Sequence, residues 1–438
     1  MEPTAQTTTA AASKPDRMSK KLVDLSKYLS FVLRHGANEI GVKIDTAGFV
    51  NVAEVLSKKN GYTFEEIKYV VANNNKKRFE MVEITPGTNT LAEHFKIRAV
   101  QGHTIENIAE EELFEEIKDP AEIPFVIHGT DYKAWVRFIR FQGLKRMARN
   151  HIHFAIGFNT DSNVISGMRN SSDIVIELDT AKAMKDGYRF LRSKNDVILS
   201  PGKGPEGQIP PAYFKKVTYT PKGKDAKPID FDLRPFEHLL ILDFEANCID
   251  GGALECQEII EFPVVPVHIP TKTIQVDKIF HTYVKPTVVP TITEFCTGLT
   301  GITQAQVNAG LPIKDVLANL DKWMTTHGYT AENSTIVTCG AWDLKTCLRK
   351  EAEYKKIDLP LYLRKFINVK DAWMCTFFKA KGDGMPGMLN SLNLTLDGKH
   401  HSGIDDSKNI AKIVLGLIEK GAVFTRAQEY NLADKHED

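Results

Sequence analysis

Long apolar runs are missing from this chain. No stretch approaches the roughly 20 residues that span a bilayer, so no membrane partner is expected. The opening residues, Met1-Glu-Pro-Thr-Ala-Gln-Thr-Thr-Thr-Ala-Ala-Ala-Ser-Lys14, have no apolar core. They suggest a disordered tail over 1–18 rather than a secretory signal. The six cysteines, at 248, 256, 296, 339, 347 and 375, include no C-x-x-C pair and all lie in the second half. Buried reduced thiols are therefore expected over disulfides, zinc ligation or redox chemistry. Together these absences predict a soluble intracellular protein, cytoplasmic and/or nuclear. Net charge is missing as well, since 56 Lys+Arg balance 56 Asp+Glu. The balance hides a division: residues 1–234 hold 35 basic and 30 acidic side chains, and the remainder holds 21 and 26. That split suits an anion-binding first half and a metal-binding second half.

What is present is globular. A chain of 438 residues, 42% hydrophobic and 26% charged, predicts two or three domains. The sharpest boundary is the segment 219–235, rich in Pro, Gly and charge, where apolar periodicity stops and a linker is expected. A softer seam falls between Gln101 and Pro124. Leu22, Leu25, Leu29, Val32 and Leu33 recur at helical spacing, and His35-Gly36 predicts the end of that helix. Thr63-Phe-Glu-Glu66 is a capping box opening a second helix, and Arg78 to Val82 follows as a strand. Helix, short strand, helix, strand suits a small winged-helix unit. From Pro124 the pattern turns β-rich, and past residue 236 it alternates strand and helix in the α/β manner. A last helix is expected over 407–420, closed by Gly421.

Asp243 and Glu245 lie inside Leu239-Leu-Ile-Leu-Asp-Phe-Glu-Ala246. Two residues apart on a strand, their carboxylates would share a face. Like charges buried together are costly unless a cation lies between them. A bare pair of this kind is more often solvated at a strand end, so the inference needs partners. Asp343 follows an apolar strand in Thr338-Cys-Gly-Ala-Trp-Asp343, and Asp406 opens the last helix in His401-Ser-Gly-Ile-Asp-Asp406. Singly, each acid could be a helix cap and His401 a surface histidine. Together they form the set a two-metal nuclease needs: carboxylates holding two divalent ions, and a histidine to deprotonate the attacking water.

This pattern, with Asp243-Phe-Glu-Ala-Asn-Cys248, Glu258-Ile-Ile-Glu-Phe-Pro263, Phe295-Cys-Thr-Gly-Leu-Thr-Gly-Ile-Thr303 and His400-His-Ser-Gly-Ile-Asp-Asp-Ser-Lys-Asn409, resembles the DEDDh 3′→5′ exonucleases. The nearest branch is the one that trims histone mRNA, ribosomal RNA and small RNAs. The resemblance implies an α/β RNase H-like domain over 236–425, followed by a tail at 426–438. It implies two Mg²⁺ or Mn²⁺ ions on Asp243, Glu245, Asp343 and Asp406, with His401 as the base at the family's five-residue offset. The implied partners are the 3′ ends of structured or small RNA. A segment like the SAP-type RNA-binding segment of some relatives is not seen here, which leaves substrate choice open.

In the first half Arg34, His35, Arg78 and Arg149 stand out, because guanidinium forks match two phosphate oxygens at once. Any one of them alone would be an ordinary surface residue. They sit within Leu25-Ser-Lys-Tyr-Leu-Ser-Phe-Val-Leu-Arg-His35, Lys77-Arg-Phe79, Ile97-Arg-Ala-Val-Gln-Gly-His103, His128-Gly-Thr130, Gly143-Leu-Lys-Arg-Met-Ala-Arg-Asn-His-Ile-His153 and Ile165-Ser-Gly-Met-Arg169. The series resembles the NAD-dependent RNA 2′-phosphotransferases that finish tRNA splicing. That resemblance implies an α+β pair of lobes, winged-helix over 19–105 and ADP-ribosyltransferase-like over 106–218. It maps the family's Arg-His-Arg-Arg tetrad onto Arg34, His35, Arg78 and Arg149. His128, Gly129, Thr130 and Arg169 would bind NAD, and Thr104 stands where the family has serine. It also implies the reaction: the RNA 2′-phosphate displaces nicotinamide, and the ribose 2″-hydroxyl then attacks phosphorus. The products are RNA with a free 2′-hydroxyl and ADP-ribose 1″,2″-cyclic phosphate. tRNA or another 2′-phosphorylated spliced RNA is the implied partner.

Three classes remain open at this point: two working active sites, one working site beside an RNA-binding scaffold, or a non-catalytic RNA-binding protein. Retention of every charged residue in both sets favours the first. The sequence does not indicate the oligomeric state.

Overall fold

The computed structural model describes residues 19–87, 91–105, 108–157, 171–222 and 226–432. The chain forms two compact units that do not follow its linear order. Of the described residues, one gathers those that fall within 19–123, 146–157 and 187–207, and the other those within 124–145, 171–186 and 208–432.

In the first unit, Ser19 caps the helix Lys20–Phe31, whose Leu25 and Leu29 are buried. The helix does not simply stop at His35-Gly36: it widens into a π turn over Val32–Gly36. The capping box at Thr63 opens Phe64–Ala72 as expected. These helices pack on an antiparallel sheet ordered Val50–Asn51, Phe95–Ala99, Phe79–Glu83. A second antiparallel sheet runs Phe114–Ile117, Phe190–Ser193, Ile198–Ser200, Ile152–Phe154.

Among the described residues the second unit holds a two-stranded sheet, Leu144–Lys145 with Gln208–Ile209, and two larger ones. One is antiparallel, ordered Ile229–Asp230, Phe214–Tyr219, Ile174–Leu178, Ile127–Thr130. The segment expected as a linker thus contributes a short strand, and its Phe231 stacks on Trp135. The other sheet is mixed: Glu245–Ala246, Ile259–His268, His238–Ile241, Ser334–Thr338, Lys365–Asn368, Tyr430–Asn431. Its three central strands are parallel and Ile259–His268 runs against them. Leu239 and Ile241 face a core shared with the final helix, through Ile410, Val414 and Leu417. Leu240 and Leu242 face the opposite core, through Val316, Leu317 and Leu320 of Ile313–Thr326. Helices on both faces explain why the run at 239–242 is continuously apolar rather than alternating.

The opening strand is interrupted between Ile241 and Glu245, so Asp243 sits at a break. The final helix spans Gly403–Glu419 and starts four residues earlier than expected. Ser402 is its N-cap, and Asp406 lies in the first turn. All six cysteines are free. Among the described residues no helix is long and apolar enough to cross a membrane.

Candidate active sites

The π turn at Val32–Gly36 carries Arg34 and His35 to one place in the first unit. Gly102, at φ +88°, lets its backbone lie against the Arg34 guanidinium, where an added Cβ would meet Arg34 Cζ at 3.4 Å. Arg34 Nε and Nη2 are buried with no hydrogen-bond partner among the described residues. Burial, with Arg78 and Arg149 beside it, pulls the Arg34 guanidinium down to about 10. Positive charge thus gathers around two buried Arg34 donors that have no partner among the described residues, an arrangement an anion would relieve. Asn74 Oδ1 accepts from Arg78 N and Nη1, both at 3.3 Å, and fixes the approach of Arg78.

His35 Nδ1 lies 3.0 Å from Thr104 Oγ1. The Thr104 hydroxyl donates to Arg34 O at 3.3 Å. Its single proton used there, it accepts from His35 Nδ1–H, which leaves His35 Nε2 as the bare nitrogen. Burial and the charges of Arg34 and Arg149 hold this imidazole below the ordinary histidine range. A neutral ring with a free Nε2 can accept a proton. His128, Gly129 and Thr130 lie on the strand Ile127–Thr130 of the second unit. Arg169 lies outside the described residues.

In the second unit Asp243, Glu245 and Asp406 offer carboxylate oxygens all within 4.8 Å of one another. Asp343 joins them from a π turn, Trp342–Leu348, and one of its oxygens accepts from Phe244 N at 2.9 Å across the sheet. Burial and the neighbouring acids, Asp343 first among them, push Asp243 well above the carboxylate range. Burial and Glu261 raise Glu245 to about 8, and burial raises Asp343 to about 6. Four acids that repel one another in a buried site could hold divalent cations. Gly403 permits it: an added Cβ would lie 2.7 Å from Asp243 O.

His401 donates its backbone N–H to Asp406 Oδ2 at 2.9 Å, while the imidazole nearest Asp406 is His400, with Nδ1 at 3.0 Å from Oδ2. The two rings stack with centroids 4.1 Å apart. Glu261, 2% exposed, lies in the motif Glu258–Pro263, and nothing in the sequence around it signals a role. It accepts from Gly403 N at 2.8 Å, Ile404 N at 3.3 Å and His281 Nε2 at 2.7 Å, and lies opposite Glu245 in register. It thereby ties the final helix to the strand bearing Glu245.

The profile of the RNA 2′-phosphotransferase, Tpt1 / KptA family, matches residues 20–202, and that of the exonuclease family matches 240–414. A tRNA 2′-phosphotransferase 1 of Danio rerio is 40% identical over 197 residues, 44% of this chain and 84% of the relative. The chain belongs to the RNA 2′-phosphotransferase family and joins to it an exonuclease-family half. For that second half, ERI1 exoribonuclease 3 of Homo sapiens is 38% identical over 206 residues, 47% of this chain. The chain spans 60% of the length of that exoribonuclease. A solved nuclease domain of 3′hExo, described as a DEDDh family member bound to rAMP, is 32% identical. The match covers 44% of this chain and 98% of that one, with a TM-score of 0.41. The four acids all lie within the stretch that matches the exonuclease family, and as a buried carboxylate set they could hold divalent metal ions. In a 2′-phosphotransferase half the buried, unpartnered nitrogens of Arg34 fit a phosphate.

Proposed function

We propose that this chain is a bifunctional RNA-processing enzyme. The first activity is NAD-dependent removal of a splice-junction 2′-phosphate, and the second is metal-dependent 3′→5′ exoribonuclease trimming. One observation carries the reading: the chain holds two buried clusters of opposite sign, guanidinium groups around Arg34 and carboxylates around Asp243. A pair of retained enzymes explains both, whereas a scaffold half has no need of a costly unsatisfied cluster. The finer fold reading goes with it: winged-helix and ADP-ribosyltransferase-like lobes, then an RNase H-like domain.

In the transferase half Arg34, Arg78 and Arg149 neutralise the RNA 2′-phosphate through charge redistribution, a role that fixed guanidinium groups perform without rearrangement. His35 Nε2 accepts the proton of the attacking ribose hydroxyl. His128, Gly129, Thr130 and Arg169 hold NAD, which supplies an activated ribose carbon. In the nuclease half Asp243, Glu245, Asp343 and Asp406 would hold two Mg²⁺ or Mn²⁺ ions, which polarise the scissile phosphodiester. His401 takes the proton of the attacking water, and His400 buttresses Asp406. The substrates are 2′-phosphorylated spliced RNA, such as tRNA, and free RNA 3′ ends.

The test is to incubate the purified chain with a 2′-phosphorylated RNA, omit NAD or Mg²⁺ in turn, and resolve the products. Phosphate loss should need NAD alone and 3′ shortening should need the metal alone. Loss of only one activity under all conditions would leave the scaffold reading in its place.

A further inference from the structure

The opening strand of the mixed sheet carries a second cluster at its other end. His238 and His268 are directly opposed in register on antiparallel strands, with ring centroids 4.9 Å apart. Glu237 turns its carboxylate toward both: Oε1 lies 3.6 Å from His238 Nε2 and 3.5 Å from His268 Nε2. Adjacent residues on a regular strand would point to opposite faces. Here the backbone N–H groups of Glu237 and His238 both donate to Asn333 O, and the irregularity brings the two side chains together.

Those spacings are too long for good hydrogen bonds, which fall at about 2.7–3.2 Å. They match something else. A tetrahedral ion with bonds of about 2.0–2.2 Å holds its ligand atoms about 3.3–3.6 Å apart. The His268 ring is also oriented as a metal ligand is: Nδ1 bonds Thr271 Oγ1 at 2.7 Å, and that hydroxyl bonds Thr273 Oγ1 at 2.8 Å, leaving Nε2 toward the cluster. The His238 side chain is 12% exposed, and its Nδ1 is buried with no partner among the described residues. Burial favours the neutral form of this ring. The Glu237 carboxylate acts against that effect, and His268 and Lys278 add to it.

We infer that Glu237, His238 and His268 form a second metal site, distinct from the carboxylate socket, for a borderline cation of the zinc class. Two imidazoles and one carboxylate suit zinc or its neighbours in the transition series, whereas Mg²⁺ prefers oxygen ligands alone. Three protein ligands leave a fourth position open to water or to a group from elsewhere. An ion there would staple the head of the strand that leads to Asp243 and Glu245 to its antiparallel neighbour.

The experiment is to titrate the full chain with Co²⁺ in excess Mg²⁺, which occupies the carboxylate socket, and to record visible absorption. Tetrahedral nitrogen-rich Co²⁺ absorbs intensely, and octahedral carboxylate-bound Co²⁺ absorbs weakly. The expected result is one tetrahedral Co²⁺ per chain, displaced by Zn²⁺, lost in His268→Ala and retained in Asp243→Asn. Glu237→Gln, on a side chain 53% exposed and so safe for folding, should weaken binding about tenfold or more. An intense spectrum that survives His268→Ala and Glu237→Gln, one lost in Asp243→Asn, or no intense spectrum at all would overturn the assignment.

Discussion

Asp371→Asn should destabilise the second unit more than any surface change, for a reason that crosses the boundary between the sequence halves. The short helical stretch 132–142 precedes the segment expected as a linker, yet Phe141 is fully buried in the core built around the final helix. Beside it, buried Arg140 donates from Nη2 to Asp371 Oδ2 at 2.7 Å and to Tyr430 Oη at 3.0 Å. Tyr430 also donates to Asp371, and Gln428 Nε2 closes on Arg140 O at 2.6 Å. Arg140 Nε already lacks a partner among the described residues. Neutralising Asp371 therefore strands a buried guanidinium, which costs about 3–5 kcal/mol. Arg140→Met leaves Asp371 its Tyr430 bond and should cost less, about 2–3 kcal/mol. Arg140→Met/Asp371→Leu together should recover much of the loss, because an apolar replacement of a buried pair is near neutral. Urea unfolding of the full chain reads all three, with Asp371→Asn lowering the midpoint by about 1–2 M. A midpoint within about 0.2 M of wild type, or a double variant as weak as the two losses added, would refute the reasoning.

Other perturbations follow from the two sites. Glu245 is raised from 4.5 to about 8, so the metal-free protein binds more protons folded than unfolded. Its contribution is complete below pH 4.5 and drains away as pH rises toward 8. Melting temperature without metal should fall across that window, and Mg²⁺ or Mn²⁺ should close the gap at pH 8. Arg34→Lys removes the fork facing the RNA phosphate and should slow 2′-phosphate removal about 100-fold. The same preparation should shorten 3′ ends at the wild-type rate, measured on one labelled RNA. Glu261→Gln replaces one of the two oxygens that accept from Gly403, Ile404 and His281, and should lower nuclease kcat roughly tenfold with KM little changed. Steady-state kinetics would show it, and 2′-phosphate removal should be untouched.

Much of this was legible beforehand because it rests on local rules. The capping box at Thr63 and the periodicity of Ile313–Thr326 depend only on neighbours a few residues away. The acids at 243, 245 and 406 stood out because a carboxylate in or beside an apolar stretch is anomalous wherever it occurs. Less visible were the groups that act through another chain segment. Thr104 is 69 residues from the histidine it orients, and Glu261 is 142 residues from the helix end it holds. Nothing near either signals a partner that only the fold supplies. The five-residue offset points to His401, yet the imidazole that lies 3.0 Å from Asp406 Oδ2 is that of His400. The burial of Phe141 among residues beyond 236 was hidden for the same reason: a linker composition marks where periodicity ends, and packing need not end there.

Three π turns occur among the described residues, Val32–Gly36, Trp135–Ile139 and Trp342–Leu348. One bears Arg34 and His35, one runs into Arg140, and one bears Asp343. Such a turn closes its hydrogen bond one residue later than an α-helix, so it behaves as a single-residue insertion. Deleting one residue within it would regularise the helix and keep the flanking turns in register, while the residues of the turn itself lose the positions the widened turn gives them. Two sites with unrelated chemistry thus rest on the same backbone device, and they are exposed to the same failure. Any lineage of this chain that loses one codon in either stretch keeps its composition, its motifs almost intact and its apolar periodicity, but no longer aims the group that the site needs.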